Sequence, residues 1–335
     1  MSNLLKRILL IAAIILVSGI AFLQVKLSFA QTVNSVSSAL SDSSIYQADP
    51  TIFLYNGIWY LYGTNGMGAD SGIKVFTSTD LRSWKVSATA NKNGYALVKP
   101  ASFGTSGFWA PQVWKYKDQF YMASVANEQI AIAKSKSVTG PFLGEKPIAF
   151  EQRNIDPFIF IEKGKKYLFH VDISHGNKIY VAEINEDFSA IKPETRKFCL
   201  AAVEPWETVR DHVVEGPTVL KHKNLYYLIY SANHFISPDY AVGYATSTSV
   251  FGPWKKYAGN PILSRRSTMQ PGTGHGDIFF DRHNNMYYVF HTHHSTSAVA
   301  PRRTAVAKAW FEKDGVGKPE KLVIDSAFFF LKRKD

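Results

Sequence analysis

The sequence predicts an all-β protein, a five-bladed β-propeller. Three observations carry that expectation. Short runs rich in Val, Ile, Tyr and Phe are broken by Gly, Asn, Asp and Lys, and no stretch after Ala30 shows a helical period. That is the pattern of many short antiparallel strands. Second, one unit recurs: Pro50, Pro111, Pro157 and Pro217 are each followed ten residues on by a tyrosine (Tyr60, Tyr121, Tyr167, Tyr227), and Asp277 by Tyr287 at the same offset. The five starts lie 61, 46, 60 and 60 residues apart. Third, each copy offers three to four strands, and units of that size repeated around an axis build a propeller. A β-sandwich could use the same strands, but it does not predict the repeated proline-to-tyrosine offset.

The chain begins with a processing signal. Lys6 and Arg7 precede an apolar run from Ile8 to Leu23, and Leu27-Ser28-Phe29-Ala30 sets small residues where a signal peptidase reads. Residues 1–30 are therefore expected to be a signal peptide, cleaved after Ala30. An uncleaved anchor is the rival, because the run is only slightly short of a membrane span. Residues 31–45, rich in Ser, Asn and Thr, read as a short linker, and 46–335 as a single propeller domain. The expected product is secreted or periplasmic, monomeric, and free of the membrane once cleaved.

Charge and cysteine exclude other classes. The net charge of +11 loses Lys6, Arg7 and Lys26 on cleavage, and the remaining bases are scattered. That argues for a soluble basic surface and against nucleic-acid binding. Cys199 is the only cysteine, so no intrachain disulfide exists. A buried thiol is expected there.

The strands follow in order. Thr51–Tyr55 and Trp59–Gly63 flank Asn56-Gly57, a strong hairpin signal. Gln112–Tyr116 and Phe120–Ser124 flank Lys117-Asp118; Phe158–Ile161 and Tyr167–His170 flank Glu162-Lys163-Gly164; Ile278–Phe280 and Met286–Phe290 flank Asn284-Asn285. The fourth hairpin is Val219-Leu220, a polar turn, then Leu225-Tyr226-Tyr227. Third strands are expected at Ile73–Ser78, Ile130–Ser135, Ile179–Glu183, Val242–Ser247 and Thr304–Ala309. Closing strands are expected at Ser83-Trp84-Lys85, Gly140-Pro141-Phe142 and Gly252-Pro253-Trp254. Residues 191–212 carry no fourth-strand signal and read as a long excursion.

The chemistry is a position argument. Inner strands of a propeller line a central channel, so their first residues gather at one mouth. Just before the proline stand Asp49, Ala110, Asp156 and Gly216; one step earlier stand Ala48, Trp109, Ile155, Glu215 and His275. Copies that should be equivalent thus differ at one place, and three of them put carboxylates there. Three carboxylates around one axis suit acid/base cleavage of a glycosidic bond. One donates a proton to the leaving oxygen, one activates water, and a third ionised neighbour raises the donor's pKa.

Ala48-Asp49-Pro50, Trp109-Ala110-Pro111, Ile155-Asp156-Pro157, Val214-Glu215-Gly216-Pro217 and Gly274-His275-Gly276, in that order, resemble glycoside hydrolase family 43 across essentially the whole mature chain. The resemblance implies a five-bladed propeller and an inverting mechanism. It implies Asp49 as general base, Glu215 as general acid, and Asp156 as modulator of the acid's pKa. It implies that His275 is an axial histidine facing a water or a metal ion such as calcium in the channel; no cofactor is required for the chemistry. Arg302-Arg303 resemble an arginine that the family places near the acid. Gln112 departs from the acidic residue that often follows Trp-Ala-Pro. Trp109 offers a flat apolar face for stacking on a sugar. His291 and His293 share one strand face, with no third ligand at a recognisable spacing.

The expected activity is release of terminal arabinofuranose, xylose or galactose from a plant-type polysaccharide or its side chains. Two rivals stand beside it. A non-catalytic sugar-binding propeller would have lost one of the three carboxylates. A retaining sucrose- or fructan-cleaving enzyme would usually show an arginine where Ile155 stands.

Overall fold

The computed structural model describes residues 43–334 except Met67, Lys92 and Glu145. The expected signal peptide and most of the linker lie outside the described residues. The described residues form five sheets, each one blade, antiparallel except where the chain end joins blade one. Blade one holds β1 (Gln47–Tyr55), β2 (Ile58–Asn65), β3 (Gly72–Ser78) and β4 (Ser83–Val86), with β5 (Tyr95–Val98) also pairing with β3. Blade two holds β6 (Trp109–Tyr116), β7 (Gln119–Ala126) and β8 (Gln129–Ser135). Blade three holds β9 (Asn154–Glu162), β10 (Lys165–Asp172), β11 (Lys178–Glu183) and β12 (Lys197–Leu200). Blade four holds β13 (Val214–His222), β14 (Leu225–Ala232), β15 (Ala241–Ser247) and β16 (Lys255–Lys256). Blade five holds β17 (Gly274–Phe280), β18 (Met286–Thr292), β19 (Arg303–Glu312) and β20 (Lys321–Phe330). The expected five-bladed propeller is the fold.

Local chemistry makes the hairpins. Asn56 and Gly57 take φ of 49° and 77°, and Lys163 and Gly164 take 49° and 80°. Each pair closes a two-residue loop whose positive-φ twist matches that of the flanking strands. Middle strands β2, β7, β10 and β14 are buried on both faces over nearly their whole length. They therefore read as continuous apolar runs and not as alternating ones.

Five apolar clusters hold the ring, one between each pair of neighbouring blades. Tyr62, Val75, Val113 and Met122 join blades one and two; Tyr121, Ile159 and Leu168 join two and three. Phe169, Val181, Val219 and Leu228 join three and four; Ile229, Tyr244, Tyr288 and Phe290 join four and five. Leu61, Trp84, Phe279, Val289 and Leu331 close five onto one. The chain end completes that closure: β21 (Lys332–Arg333) pairs in parallel with β4, and the Ile45 amide donates to the Leu331 carbonyl at 3.0 Å.

Three expectations change. Residues 191–212 are not a bare excursion: β12 lies within them as the fourth strand of blade three, paired to β11. Its Phe198 is exposed while Cys199 and Leu200 are buried, so a four-residue edge strand left too short a pattern to read. Gly140-Pro141-Phe142 forms no strand; isolated bridges from Leu143 to Lys134 and from Pro147 to Ala131 continue blade two. In blade four the short closing strand is Lys255–Lys256, just after Gly252-Pro253-Trp254. Cys199 is buried, and burial pushes its thiol far above the usual range, which suits packing and not nucleophilic attack. Among the described residues no helix is long and apolar enough to cross a membrane.

Candidate active site

A bulge repeated five times builds the mouth. In every inner strand the register with its partner slips by one residue: Ala48 pairs with Thr64 but Thr51 with Tyr62, and Glu215 with Ser231 but Thr218 with Ile229. β6, β9 and β17 slip at the same place. A bulge leaves one residue unpaired and re-aims its side chain. Here those residues are Asp49, Ala110, Asp156, Gly216 and His275, with φ of 48°, 43°, 53°, 59° and 38°. Four of them are not glycine, and left-handed backbone at such residues stores strain that surrounding structure must hold. All five, together with the two residues after each, line one narrow axial channel.

The bulge corrects one alignment. His275 stands at the position of Asp49 and Asp156, not at that of Glu215; the residue equivalent to Glu215 in blade five is Gly274. Gly276 takes the proline's place, since an added Cβ would sit 1.8 Å from the Val289 carbonyl oxygen. The blade-five hairpin is one residue longer, so starting the count at Asp277 still reached Tyr287.

Asp49 is the most heavily supported group. Arg302 reaches both of its oxygens, Nη1 to Oδ1 at 2.9 Å and Nη2 to Oδ2 at 3.3 Å. Thr64 donates to Oδ2 at 2.6 Å, and the Nδ1 atoms of His275 and His291 each lie 3.3 Å from Oδ1. Burial opposes ionisation, yet Arg302, with His275 and Thr64 behind it, outweighs it and holds the carboxyl well below the usual range, while His291 Nδ1 accepts the Asp49 amide at 3.1 Å. Glu215 is the opposite case. Burial first, and the Asp156 charge second, push it up to about 7. Tyr240 donates to its Oε1 at 2.7 Å and Asn177 to its Oε2 at 3.0 Å. Asp156 is likewise raised to about 7 by burial and by Asp49, while its Oδ2 accepts the Gly216 amide at 3.0 Å and lies 3.9 Å from His275 Nδ1.

The two arginines separate. Arg302 enters the site and also lies over the Phe235 ring, 4.9 Å from its centre. Arg303 does not reach it: its guanidinium stacks on Phe330 at 3.6 Å, because the next residue on a strand faces the other way. Trp109, the first residue of β6, is half-buried beside Gly107. His291 is fully buried against Asp49 and Arg302, and burial and Arg302 hold it neutral. His293 instead faces the Phe235 carbonyl at 2.8 Å. Gln112 ties β6 to β9, bonding both the amide and the carbonyl of Ile159.

Thr64, Asn177, Tyr240 and the inward role of His291 were not assigned from the sequence. Thr64 and His291 were reachable, since each lies beside the bulge on a second strand. Tyr240 and Asn177 come from loops, where no periodicity reports direction. As for a channel metal, among the described residues no three His, Cys, Asp or Glu side chains are grouped to hold one, and His275 turns Nδ1 to carboxylates. The residues present do not build a protein-only metal site.

Comparison with known proteins agrees with this layout. A β-D-galactofuranosidase of Aspergillus niger is 25% identical over 303 residues, covering 84% of each chain. An extracellular endo-α-(1→5)-L-arabinanase of Bacillus subtilis is 24% identical over 240 residues, 66% of this chain and 71% of that one. An endo-1,4-β-xylanase structure from Bacteroides thetaiotaomicron superposes with a TM-score of 0.81 at 37% identity, covering 88% of this chain and 99% of the other. The sequence profile of Glycosyl hydrolases family 43 matches residues 43–316, from the start of blade one into blade five. That span takes in all five bulged strands, and the chain belongs to glycosyl hydrolase family 43 and is a glycosidase.

Proposed function

We propose that this glycosidase is exported, inverts configuration, and releases terminal arabinofuranose, xylose or galactose from plant-type polysaccharide or its side chains. The observation that carries the mechanism is the contrast in contacts: Arg302 grips both oxygens of buried Asp49, whereas buried Glu215 is bonded by the neutral side chains of Tyr240 and Asn177, which favours a charged Asp49 and a protonated Glu215. Two carboxyls in one mouth with opposite protonation are what an acid and a base require. Asp49 takes a proton from water, and the water oxygen bonds to the anomeric carbon. The bond to the leaving oxygen breaks, and Glu215 supplies the proton that oxygen needs. Burial, with charge repulsion from Asp156 behind it, keeps Glu215 protonated; Arg302 and His275 orient Asp49, and Trp109 is the stacking platform. The names of the relatives, a galactofuranosidase, an arabinanase and a xylanase, support pentose or galactose units.

A panel of nitrophenyl arabinofuranoside, xyloside and galactoside, followed by proton NMR of the first anomer released, tests the proposal. Inverted product from at least one substrate is expected. Initial release of the retained anomer, or a covalent adduct trapped on Asp49, would instead support the fructan-cleaving plan. No hydrolysis of any glycoside, with sugar binding intact, would support a binding propeller.

A further inference from the structure

The two oxygens of Glu215 are held from different blades. Tyr240, just ahead of β15 in blade four, bonds Oε1; its ring is fully buried and stacks on His291 with centres 5.8 Å apart. Asn177, just ahead of β11 in blade three, bonds Oε2 through Nδ2. The Asn177 carbonyl also accepts the Val214 amide at 3.4 Å, so one residue braces both the start of β13 and the side chain that follows it.

These partners differ in what they can do. A hydroxyl donates or accepts, whereas an amide N–H only donates. A neutral Glu215 with its proton on Oε1 would turn that proton to the tyrosine oxygen. With the proton on Oε2, Asn177 cannot take it, and it is free for a leaving oxygen. We propose that Asn177 is a positioning residue that makes Oε2 the proton-delivering oxygen of Glu215 and stabilises the charge left there. The inference rests on Glu215 being the general acid. As the proton leaves Oε2, the Asn177 bond becomes charge-assisted and roughly twice as strong. Its contribution is thus larger in the transition state than in the ground state, which is the condition for raising kcat. Asp156, His275, Asp49 and Tyr240 also face Glu215, and a substitution at Asn177 alters none of these groups.

The test uses Asn177→Ala and the near-isosteric Asn177→Asp in the whole chain, with a series of aryl glycosides of graded leaving-group pKa. A hydrogen bond to a charged group supports an expected loss of about 10–100-fold in kcat for poor leaving groups, with little loss for dinitrophenolate. The basic limb of the pH profile should move to higher pH in both variants. In the alanine variant a bond favouring the ionised form is gone, and in the aspartate variant a like charge is added. A merely structural asparagine would let Asn177→Ala keep the wild-type slope against leaving-group pKa and the wild-type basic limb; that result overturns the inference. Glu215→Gln is the control. If it loses activity equally on good and poor leaving groups, the acid assignment itself falls and this inference with it. If it shows the graded loss and the Asn177 variants do not, only the inference falls.

Discussion

Replacing Arg302 with methionine isolates the support beneath Asp49. Methionine keeps most of the side-chain length, and its thioether can remain against Phe235. What disappears is the two-pronged contact to Asp49 at 2.9 and 3.3 Å, between side chains only 15% and 8% exposed. Breaking a buried pair by removing one partner costs about 3–5 kcal/mol, since the other charge is left uncompensated. At about 2–4 °C per kcal/mol, the melting temperature at pH 7 should fall by roughly 6–20 °C. The sign with pH follows from linkage. Asp49 is depressed in the folded protein, so it contributes stability above its unfolded value of about 3.9 and loses that contribution as pH falls. Without Arg302, burial acts on Asp49 with less opposition and its pKa rises. The gap in melting temperature between the variant and wild type should therefore narrow as pH falls from 7 towards 4. The acid limb of kcat/KM should move to higher pH, because a protonated Asp49 cannot accept from water. Arg302→Lys keeps a charge without the fork and should fall between the two. Differential scanning calorimetry across pH and pH-rate profiles measure both effects. An unmoved acid limb with a melting temperature within a degree or two of wild type would refute the reasoning.

Other expectations follow from the same geometry. Asp156→Asn should lower activity and move the basic limb of the pH profile to lower pH, since it removes a charge that raises Glu215; an unmoved basic limb would contradict the modulator role. Asp277, gripped by Thr51 at 2.7 Å and Thr218 at 3.3 Å and raised to about 6 by burial, stabilises the fold below its unfolded value and loses that contribution as pH rises through 6. Asp277→Asn should thus gain stability relative to wild type at pH 8 compared with pH 4, and equal differences at both pH values would count against it. Leu331→Ala removes a fully buried side chain from the closure of blade five onto blade one. A loss of about 2–5 kcal/mol in chemical denaturation is expected, and a loss below 1 kcal/mol would show that the ring closes without it.

Much of the site was legible because the fold is a repeat. Asp49, Asp156 and Glu215 stand at matched places in similar units, so sequence position alone predicted that they would meet. His275 was legible as a residue but misplaced by one step, because a glycine replaced the proline and a longer turn restored the count. The short β12 and β21 were not legible, since two to four residues carry no period, and the partner of β21 lies at the other end of the domain.

What the sequence by itself determined is the β class, the five repeated hairpins and which side chains open the inner strands, because these follow from local pattern, turn chemistry and equal spacing. Tertiary structure alone decided the rest. It decided that Arg302 and not Arg303 faces Asp49, since a strand's alternation has meaning only once its register with β18 is set. It decided that Asn177 and Tyr240 share the oxygens of Glu215, because loops from two blades converge there without any signal along the chain. It also decided the split in ionisation. Asp49 and Glu215 look alike as acidic residues beside a proline or glycine, and only burial with or without a guanidinium at contact distance drives their protonation apart.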